Sequence, residues 1–514
     1  MTRKYLGDYA TVLSRVRLAL SSKVTLQEPF QNEKDFEKFK KTVADARRLL
    51  PSRYHQPYVD VLDEAVKQAE KSARRGTAAA RAKVLSQLES VFSTLAQPVV
   101  QLADSKQTDN LRAFQALASN FYRRFMDDPK VRSEARKTLR WPELDPLGFF
   151  AMGKSEPFTL AASSELPVAL ISKPANHATF VPLWLIDAHE VGGHVIHDGV
   201  VGFEAEVQTN VQEAIKNAFQ SGSLSAVSKT IKMRTGSFFS LGRSKNAPTE
   251  AFMLQLFEKW LPELLADAAG VLNMGPMYAN GGMLVLAAHN PEQKSANKVG
   301  FEPGKGAEEH PADVVRALFA IEVVERLGLD DAKVYGAELR ERAAIACGGA
   351  LHEKVVFQDS AGTVYTEVKL SDLSAVLSVV ADAICNKNLK SLGDRSLAKL
   401  MTWGNKDEAT AQKIAKLLPR GNKYSEVLEA RHVVSAAVLA METAATAADA
   451  SKPVDPVEFA RLSQLIHNNS ILLLKSLYEE QCLLCAVPDY GETRRNDIIS
   501  LANLAKLVKN IRAR

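Results

Sequence analysis

Cysteine is scarce in this chain, with four residues in 514: Cys347, Cys385, Cys482 and Cys485. Because the cysteines are so few and so widely spaced, they exclude a fold held together by disulfide bonds. They favour a protein that resides in a reducing compartment. The Cys482-Leu-Leu-Cys485 spacing is that of some redox and zinc sites. No second pair accompanies it, however, and we predict no function for it.

Long hydrophobic runs are also missing. The longest stretch without a charged side chain, from Gly270 to Pro291, contains several Gly and Asn residues, so it indicates a helix end and a loop rather than a membrane span. The first residues, Met1 to Tyr5, lead into mixed polar sequence without the apolar segment of a signal peptide. We therefore expect a cytoplasmic protein that does not span a membrane.

The charge is close to balanced overall but uneven along the chain. The net charge is +5, yet residues 1–141 carry 27 basic against 16 acidic side chains. Such an excess could attract nucleic acid or an acidic partner. The charges alternate with apolar helical positions, as in residues 36–41, and no nucleic-acid motif is present. We therefore expect a solvated helical face and no nucleic-acid binding, and keep a basic nucleic-acid-binding protein as a third interpretation.

Composition and periodicity predict a globular, mainly α protein with a small β-sheet. Hydrophobic residues make up 46% and charged residues 24% of the chain, which excludes large-scale disorder. Residues 1–145 have nearly continuous helical periodicity and predict a helical N-terminal domain. Its interruptions fall at Pro51, Pro57, Gly76 and Pro98.

Two further domains are expected after residue 145. Residues 146–345 open with a predicted strand at 166–172 and would form the catalytic domain; if that strand lies at a sheet edge, it could pair with an extended substrate. Residues 346–514 open with a predicted hairpin, strands 354–359 and 363–368, followed by helices. Residues 214–249 contain no acid, six basic side chains and many Ser and Gly, and suggest a mobile segment near the site.

The segment His189-Glu190-Val191-Gly192-Gly193-His194 carries the clearest chemical signal. Neutral imidazoles are good zinc ligands, and a carboxylate beside the first ligand can act as the general base for a water molecule. The two histidines are five positions apart, which would place them about 140° apart on a regular helix. Because glycine tolerates unusual backbone, we predict a bulged or broken turn at Gly192 and Gly193.

This segment fits the H-E-x-x-G-H signature and resembles the dipeptidyl peptidase III family of zinc exopeptidases. In gluzincin-type peptidases the third ligand is a glutamate on a later helix, with an acid four residues further on, and Glu263-Leu-Leu-Ala-Asp267 has that form. By resemblance, His189, His194 and Glu263 would bind zinc. Asp267 would accept a hydrogen bond that orients a ligand imidazole, and His189 is the partner we expect.

A third element is similar to CAAX-processing and related peptidases, in which a His-Pro with an arginine six residues after the histidine follows the ligand glutamate. Here it reads His310-Pro311 with Arg316. The resemblance implies that His310 and Arg316 stabilise the negatively charged oxygen of the tetrahedral intermediate. Tyr278 and His289 are rival candidates for that role. The loop from Asn290 to Glu309 would deliver His310 to the site.

Several nearby side chains leave alternatives open. His197, three residues after His194, could replace His189 as a ligand. Asp198, Glu204 and Glu206 could support the ligands, but an exposed, solvated surface is the explanation that we favour for them. Arg316 could pair with Asp313 or another neighbour.

We therefore predict a gluzincin-like zinc metallopeptidase, with a zincin-like catalytic domain flanked by helical domains, in which Glu190 activates water to hydrolyse a peptide or protein substrate. The alternative is a non-catalytic helical interaction protein whose zinc centre is structural or absent. A fourth protein ligand, such as His197, closing the metal site would favour that alternative.

Overall fold

The computed structural model describes residues 5–26, 30, 36–50, 54–137, 139, 142–151, 157–162, 166–233, 246–290, 296–302, 306–421, 428–446, 454–480 and 501–512. The Cys482–Cys485 pair and the centre of the basic segment, residues 234–245, lie outside these ranges. The predictions made for them are therefore not addressed by the structure.

Helices dominate the described chain. The α-helices are α1 (Tyr9–Leu20), α2 (Glu37–Leu49), α3 (Asp60–Arg75), α4 (Ala78–Leu95), α5 (Gln97–Ala103), α6 (Thr108–Met126), α7 (Pro129–Ala135), α8 (Ile186–His189), α9 (Ile196–Gly199), α10 (Phe203–Gln220), α11 (Thr249–Met274), α12 (Pro276–His289), α13 (Asp313–Val324), α14 (Ala332–Ala346), α15 (Leu370–Asn386), α16 (Leu397–Leu400), α17 (Asn405–Leu417), α18 (Ala430–Ala444), α19 (Pro456–Glu480) and α20 (Leu501–Arg512). The predicted class, mainly α with a small β component, is confirmed. Within the described residues, no helix is both long and apolar enough to cross a membrane.

Within the described residues, the strands form three small sheets. They are β1 (Leu147–Ala151), β2 (Phe158–Leu160), β3 (Leu170–Pro174), β4 (Thr230–Lys232), β5 (Asn246–Pro248), β6 (Lys298–Glu302), β7 (Gly306–Ala307), β8 (Lys354–Gln358) and β9 (Val364–Lys369). The first sheet has the order β1-β3-β2, the second pairs β4 with β5, and the third has the order β7-β6-β8-β9.

Two strand predictions have different outcomes. The hairpin predicted after residue 346 is confirmed by the antiparallel pair β8–β9. The strand predicted at 166–172 begins at Leu170, and the suggested edge position is wrong. It is central, because β3 pairs with β1 on one side and with β2 on the other. Its backbone groups are therefore used within the sheet and are not available to an extended substrate.

The chain divides into two compact units that differ from the three consecutive regions predicted. Unit 1 comprises residues 1–22 and 179–470, and unit 2 comprises residues 23–178 and 471–514. The start of the chain packs with residues far along the sequence, and so does its end. Proline and glycine residues indicate where helices end, but they do not show which distant segments of the chain pack together.

Unit 2 is built around an aromatic core. The rings of Phe30, Phe39 and Phe92 contact each other with centroids between 5.1 and 5.5 Å apart. Helix α20 packs against α3 and α4, and the sheet β1-β3-β2 contributes further apolar side chains to the same core. Helix starts follow the expected chemistry: the Thr77 side chain caps α4, and Asp128 caps α7 ahead of Pro129.

Unit 1 is arranged around α11, which is buried over most of its length. Helices α8, α10, α12 and α13 pack against it, together with the segment that follows α8. Because α11 contains Glu263 and Asp267, this arrangement brings both carboxylates into the interior, next to the helix that carries His189.

A buried ion pair links other parts of unit 1. Arg342 of α14 donates from both terminal nitrogens to Glu442 of α18, at 2.7 and 2.9 Å. The Asn280 side chain donates to the same carboxylate at 2.7 Å, and the backbone N–H of Gly7 does so at 2.9 Å. A charged carboxylate is stable in such a position because its oxygens are matched by a cation and by further donors. The network ties α12, α14, α18 and the start of the chain together.

Candidate metal centre

The helix that carries the first histidine changes its winding at the glycines. Helix α8 ends at His189, residues Glu190–Val195 form a π-helical segment, and α9 follows. A π turn holds one residue more than an α turn, so residues five apart come onto one face. The predicted irregularity at Gly192 and Gly193 is thus confirmed. It explains how His189 and His194 can face one point.

The same glycines allow close packing against α11. A Cβ atom on Gly193 would lie 2.3 Å from the Cβ and 2.5 Å from the Cα of Ala266. A Cβ atom on Gly192 would lie 2.9 Å from the Asn273 side chain. Ala266 lies between Glu263 and Asp267, so the absence of a side chain at Gly193 lets the histidines approach the carboxylates. The sequence pattern indicated the backbone role of these glycines but not this packing role.

Gly193→Ala is expected to weaken zinc binding by about tenfold or more and to lower the melting temperature. The added methyl would have to displace a helix backbone, and overpacking of this kind costs about 1–3 kcal/mol. Gly282→Ala in α12 is the matched control, since nothing lies within 4 Å of its added Cβ. Zinc titration and thermal unfolding of both variants check the prediction. Equal behaviour of the two would contradict the packing role.

Three donor groups meet at one point. His189, His194 and Glu263 each offer a ligand atom, and these atoms lie within 4.8 Å of one another. The Nε2 atom of His189 is 3.6 Å from Oε2 of Glu263, and the Nε2 atom of His194 is 3.8 Å from Oε1. Ligands bound tetrahedrally at about 2.1 Å from zinc are roughly 3.4 Å apart. The donor types and their separations therefore fit a zinc ion.

Asp267 contacts the side of the His189 ring that faces away from Glu263. Its Oδ1 atom is 3.0 Å from Nδ1 of His189, the partner that the resemblance to gluzincin-type peptidases implied. This contact leaves Nε2 of the imidazole directed at Glu263, the orientation that a metal ligand needs. The hydroxyl of Tyr278 also donates to Oδ1 of Asp267, at 2.7 Å. Tyr278, a rival candidate for stabilising the intermediate, therefore lies behind the ligand.

Arg316 joins the two acids. Its Nε and Nη2 atoms donate to the two oxygens of Asp267, each at 2.8 Å, and Nη1 is 3.4 Å from Oε2 of Glu263. The pairing with Asp313 that the sequence left open is not the one observed. These contacts commit the guanidinium to the carboxylates, where it balances their charge. The contacts favour a role in which Arg316 positions the two carboxylates. They do not favour the role that the resemblance implied, which was to stabilise the negatively charged oxygen of the tetrahedral intermediate.

The pKa values reflect this mutual pairing. Burial alone would raise the pKa of Asp267, but Arg316 and His189 hold it well below its usual value. Burial also acts to raise the pKa of Glu263, and His189, Arg316 and His310 outweigh it, so that carboxyl too stays ionised. Burial together with Asp267 raises the pKa of Tyr278 well above its usual value, so the phenol keeps its proton and donates.

His310 reaches the site from its exposed side. Its Nε2 atom is 3.6 Å from Oε1 of Glu263, and its side chain is 65% exposed. As predicted, the loop from Asn290 to Glu309 leads to His310 at the site. Strands β6 and β7 lie within this loop. His310 does not belong to the group of three mutually close donors. His289 ends α12 and lies near Asp313.

The other candidate residues after His194 have partners elsewhere. Nε2 of His197 is 3.2 Å from the carboxylate of Glu204, so this histidine is engaged away from Glu263. Glu206 accepts from the backbone N–H groups of Lys390 and Ser391, at 2.7 and 2.9 Å. The side chain of Asp198 is not among those described. Glu190 itself is buried and directly follows His189.

A second cluster of acids and histidine was not anticipated from the sequence. Asp407, Glu429 and His432 also bring possible ligand atoms within 4.8 Å. Here, however, the guanidinium of Arg431 pairs with both Asp407 and Glu429. Nε2 of His432 lies 2.9 Å from Asp407. This cluster is therefore an ion-pair network at the start of α18, in which an arginine already supplies the positive charge.

Arg316→Met is expected to reduce zinc affinity by about 10- to 100-fold, because partners that orient metal ligands typically contribute that much. Arg326→Met is the control, since Arg326 binds Glu322 and Ser378 instead. Competition with a chromophoric chelator measures both. If Arg316→Met keeps its zinc affinity and loses only turnover, the arginine acts at the intermediate and the positioning role is wrong.

Comparisons with protein-family models, with curated proteins and with solved structures found no match to this chain. The interpretation of the metal centre therefore depends on its own geometry.

Proposed function

We propose that this chain is a zinc-dependent peptidase whose ligands are His189, His194 and Glu263 and whose general base is Glu190. The observation that carries the proposal is the convergence of those three donors next to a buried glutamate. Two neutral imidazoles and one carboxylate are a frequent ligand set of hydrolytic zinc sites.

The chemistry requires one contribution from the metal and several from the chain. Zinc held by three protein groups keeps a fourth position for water and lowers the pKa of that water to roughly 7. Glu190 would accept the proton that the attacking water loses as its oxygen bonds to the peptide carbon. The same carboxyl would then give that proton to the departing nitrogen as the C–N bond breaks.

The other residues would set the geometry of this reaction. Asp267 fixes the ring of His189 from behind, and Arg316 neutralises the two carboxylates together. His310 is exposed beside Glu263 and would donate a hydrogen bond to the substrate oxygen on which negative charge develops. The resemblance implied that both His310 and Arg316 stabilise this oxygen. Of these two side chains, His310 is the one whose contacts leave it accessible to a substrate.

The rival interpretation is a structural zinc centre in an interaction protein. A structural site needs a fourth protein ligand, and His197 was the candidate for it. The contact of His197 with Glu204 argues against that arrangement. The three-donor set therefore supports an enzyme better than a closed structural site.

Metal removal and restoration test the proposal. The purified protein is incubated with a mixture of synthetic peptides, and the products are identified by mass spectrometry. Cleavage is expected with the zinc-loaded protein, none after dialysis against a chelator, and recovery when about one equivalent of zinc is returned. A fully zinc-loaded protein that cleaves no peptide in the mixture, under conditions where it remains folded, would contradict the peptidase function.

A further inference from the structure

Three residues of α11 form a stripe on one side of the helix. They are Glu263, Asp267 and Gly270, which are four and three positions apart. Glu263 offers a ligand atom to the metal centre, and Asp267 contacts His189. Gly270 leaves a recess in the stripe, since a Cβ atom there would lie 2.3–2.7 Å from three ring carbons of Tyr278. The missing side chain therefore lets an aromatic ring pack next to Asp267.

Tyr278 reaches this recess because the chain reverses direction at a single residue. Helix α11 ends at Met274 and α12 begins at Pro276, with Gly275 between them at a φ of 66°. A positive φ favours glycine, and a Cβ atom at Gly275 would also lie 2.3 Å from Nε1 of Trp403. The reversal brings the third residue of α12, Tyr278, back to the face of α11 that carries the carboxylates.

The phenol hydroxyl contacts both members of the His189–Asp267 pair. It donates to Oδ1 of Asp267 at 2.7 Å, because an ionised carboxylate has no proton to give. The same hydroxyl oxygen is 3.4 Å from Nδ1 of His189. Oδ1 of Asp267 is also 2.8 Å from Nη2 of Arg316 and 3.0 Å from Nδ1 of His189. The hydroxyl therefore lies against the imidazole ring as well as against the carboxylate that orients it.

Burial makes the hydroxyl difficult to replace. The side chains of Tyr278, Asp267 and His189 are all buried, so bulk water does not restore a hydrogen bond that is lost among them. Removing the hydroxyl would take one donor from Asp267 and leave a gap beside the imidazole ring. Arg316 would still hold Asp267 through two nitrogens. The group that gains freedom is therefore the ring of His189.

We propose that Tyr278 is a positioning residue of the zinc site, whose hydroxyl fixes the ring of His189 both directly and through Asp267. This role differs from contact with the charged oxygen of the intermediate. The hydroxyl lies on the Nδ1 side of His189, whereas Nε2 is the atom directed at Glu263 and the metal position. The inference rests on the zinc site of the proposed function, but not on the reaction that the zinc performs.

Tyr278→Phe tests this role because it removes the hydroxyl and keeps the ring. The zinc affinity of the full-length protein, measured by competition with a chromophoric chelator, is expected to fall about tenfold. This is the lower end of the range for groups that orient metal ligands, since Arg316 still holds Asp267.

Tyr335→Phe is the matched control. Tyr335 is also buried in unit 1, and its hydroxyl donates to Oε1 of Glu408 at 2.6 Å. Both substitutions remove a buried hydrogen bond to a carboxylate, so both should lower the melting temperature by similar amounts. The zinc affinity of Tyr335→Phe should nevertheless stay within about twofold of wild type, as expected for a residue away from the site.

Cobalt(II) in place of zinc supplies a signature that a loss of stability alone would not alter. The visible absorption of cobalt(II) depends on the number and arrangement of its ligands. Cobalt-loaded Tyr278→Phe is expected to show shifted bands, because the ring of His189 is no longer held at one angle. Cobalt-loaded Tyr335→Phe should reproduce the wild-type spectrum.

A second variant keeps the hydroxyl and displaces the ring. The Cβ atom of Gly270→Ala would overlap the ring of Tyr278, so zinc affinity should again fall by about tenfold or more. Gly282→Ala in α12 adds a methyl group with nothing within 4 Å and should leave the affinity unchanged. Melting temperatures show that each variant is folded where its zinc affinity is measured.

Unchanged zinc affinity in Tyr278→Phe, or an equal loss in Tyr335→Phe, would overturn the positioning role. A Tyr278→Phe variant that keeps its zinc affinity and loses only turnover would also overturn it, because the hydroxyl would then act at the intermediate. The proposed function fails differently. Zinc affinity that depends on Tyr278, in a protein that cleaves no peptide, would leave the positioning role and remove the peptidase function.

Discussion

Glu190→Gln is expected to slow peptide hydrolysis by about 10²- to 10⁴-fold while zinc remains bound. Glutamine has nearly the size of glutamate but cannot accept a proton at neutral pH, and general-base catalysis typically contributes a factor of that order. Because Glu190 is adjacent to the ligands without being one of the three converging donors, the zinc content should stay at the wild-type level. Steady-state kinetics with a cleaved peptide, alongside elemental analysis, checks both parts.

Glu204→Gln is the matched control for this substitution. It also removes one negative charge near the metal helix, but Glu204 pairs with His197 and not with the site. Its turnover should stay within about twofold of wild type, as expected for a residue outside the chemistry. Comparable rates for Glu190→Gln and wild type would show that another group removes the proton from water.

Arg342→Met is expected to destabilise unit 1 by about 3–5 kcal/mol, which is the usual cost of removing one partner of a buried ion pair. The side chain of Glu442 is fully buried and, among the described residues, would keep the neutral donors Asn280 and Gly7. Methionine fills much of the space of arginine, so the loss reflects the uncompensated charge more than a cavity. Urea unfolding followed by tryptophan fluorescence measures it, since three of the four tryptophans, Trp184, Trp260 and Trp403, lie in unit 1.

The double variant Arg342→Met with Glu442→Gln tests whether the unpaired charge of Glu442 causes the loss of stability. Removing the charge of both partners should recover a substantial part of the lost stability, because the cost lies in the unpaired carboxylate. If the double variant is as unstable as the single variant, packing around Arg342 and not its charge explains the loss.

The local features of the site could be predicted because they depend on short spacings. A helix that must bring two histidines five residues apart onto one face requires an extra residue in a turn, and adjacent glycines indicate where it lies. Asp267, four residues after Glu263, shares its helix face, and its contact with His189 is the one that the resemblance to gluzincin-type peptidases implied. The β8–β9 hairpin was predicted from alternating apolar residues around Gly362, which adopts a φ of 82°.

The features that could not be predicted depend on contacts between distant segments. Arg316 is 49 residues from Asp267, and its choice of that carboxylate over Asp313 depends on how α13 packs against α11. The strand at Leu170 could be recognised from its apolar residues, but its central place depends on β1 and β2. Gly193 and Ala266 each look ordinary in sequence, and their close contact becomes visible only when the helices are assembled.

The most direct test is the zinc content of protein purified without added metal, compared among wild type, Glu263→Ala, Glu190→Gln and Glu258→Ala. Glu258 lies on α11 as Glu263 does, but it is exposed and pairs with Gln212. The account predicts about one zinc per chain in wild type, Glu190→Gln and Glu258→Ala, and none in Glu263→Ala. A wild-type protein that takes up no zinc even after reconstitution, or a Glu263→Ala variant that keeps it, would contradict the metal centre described above.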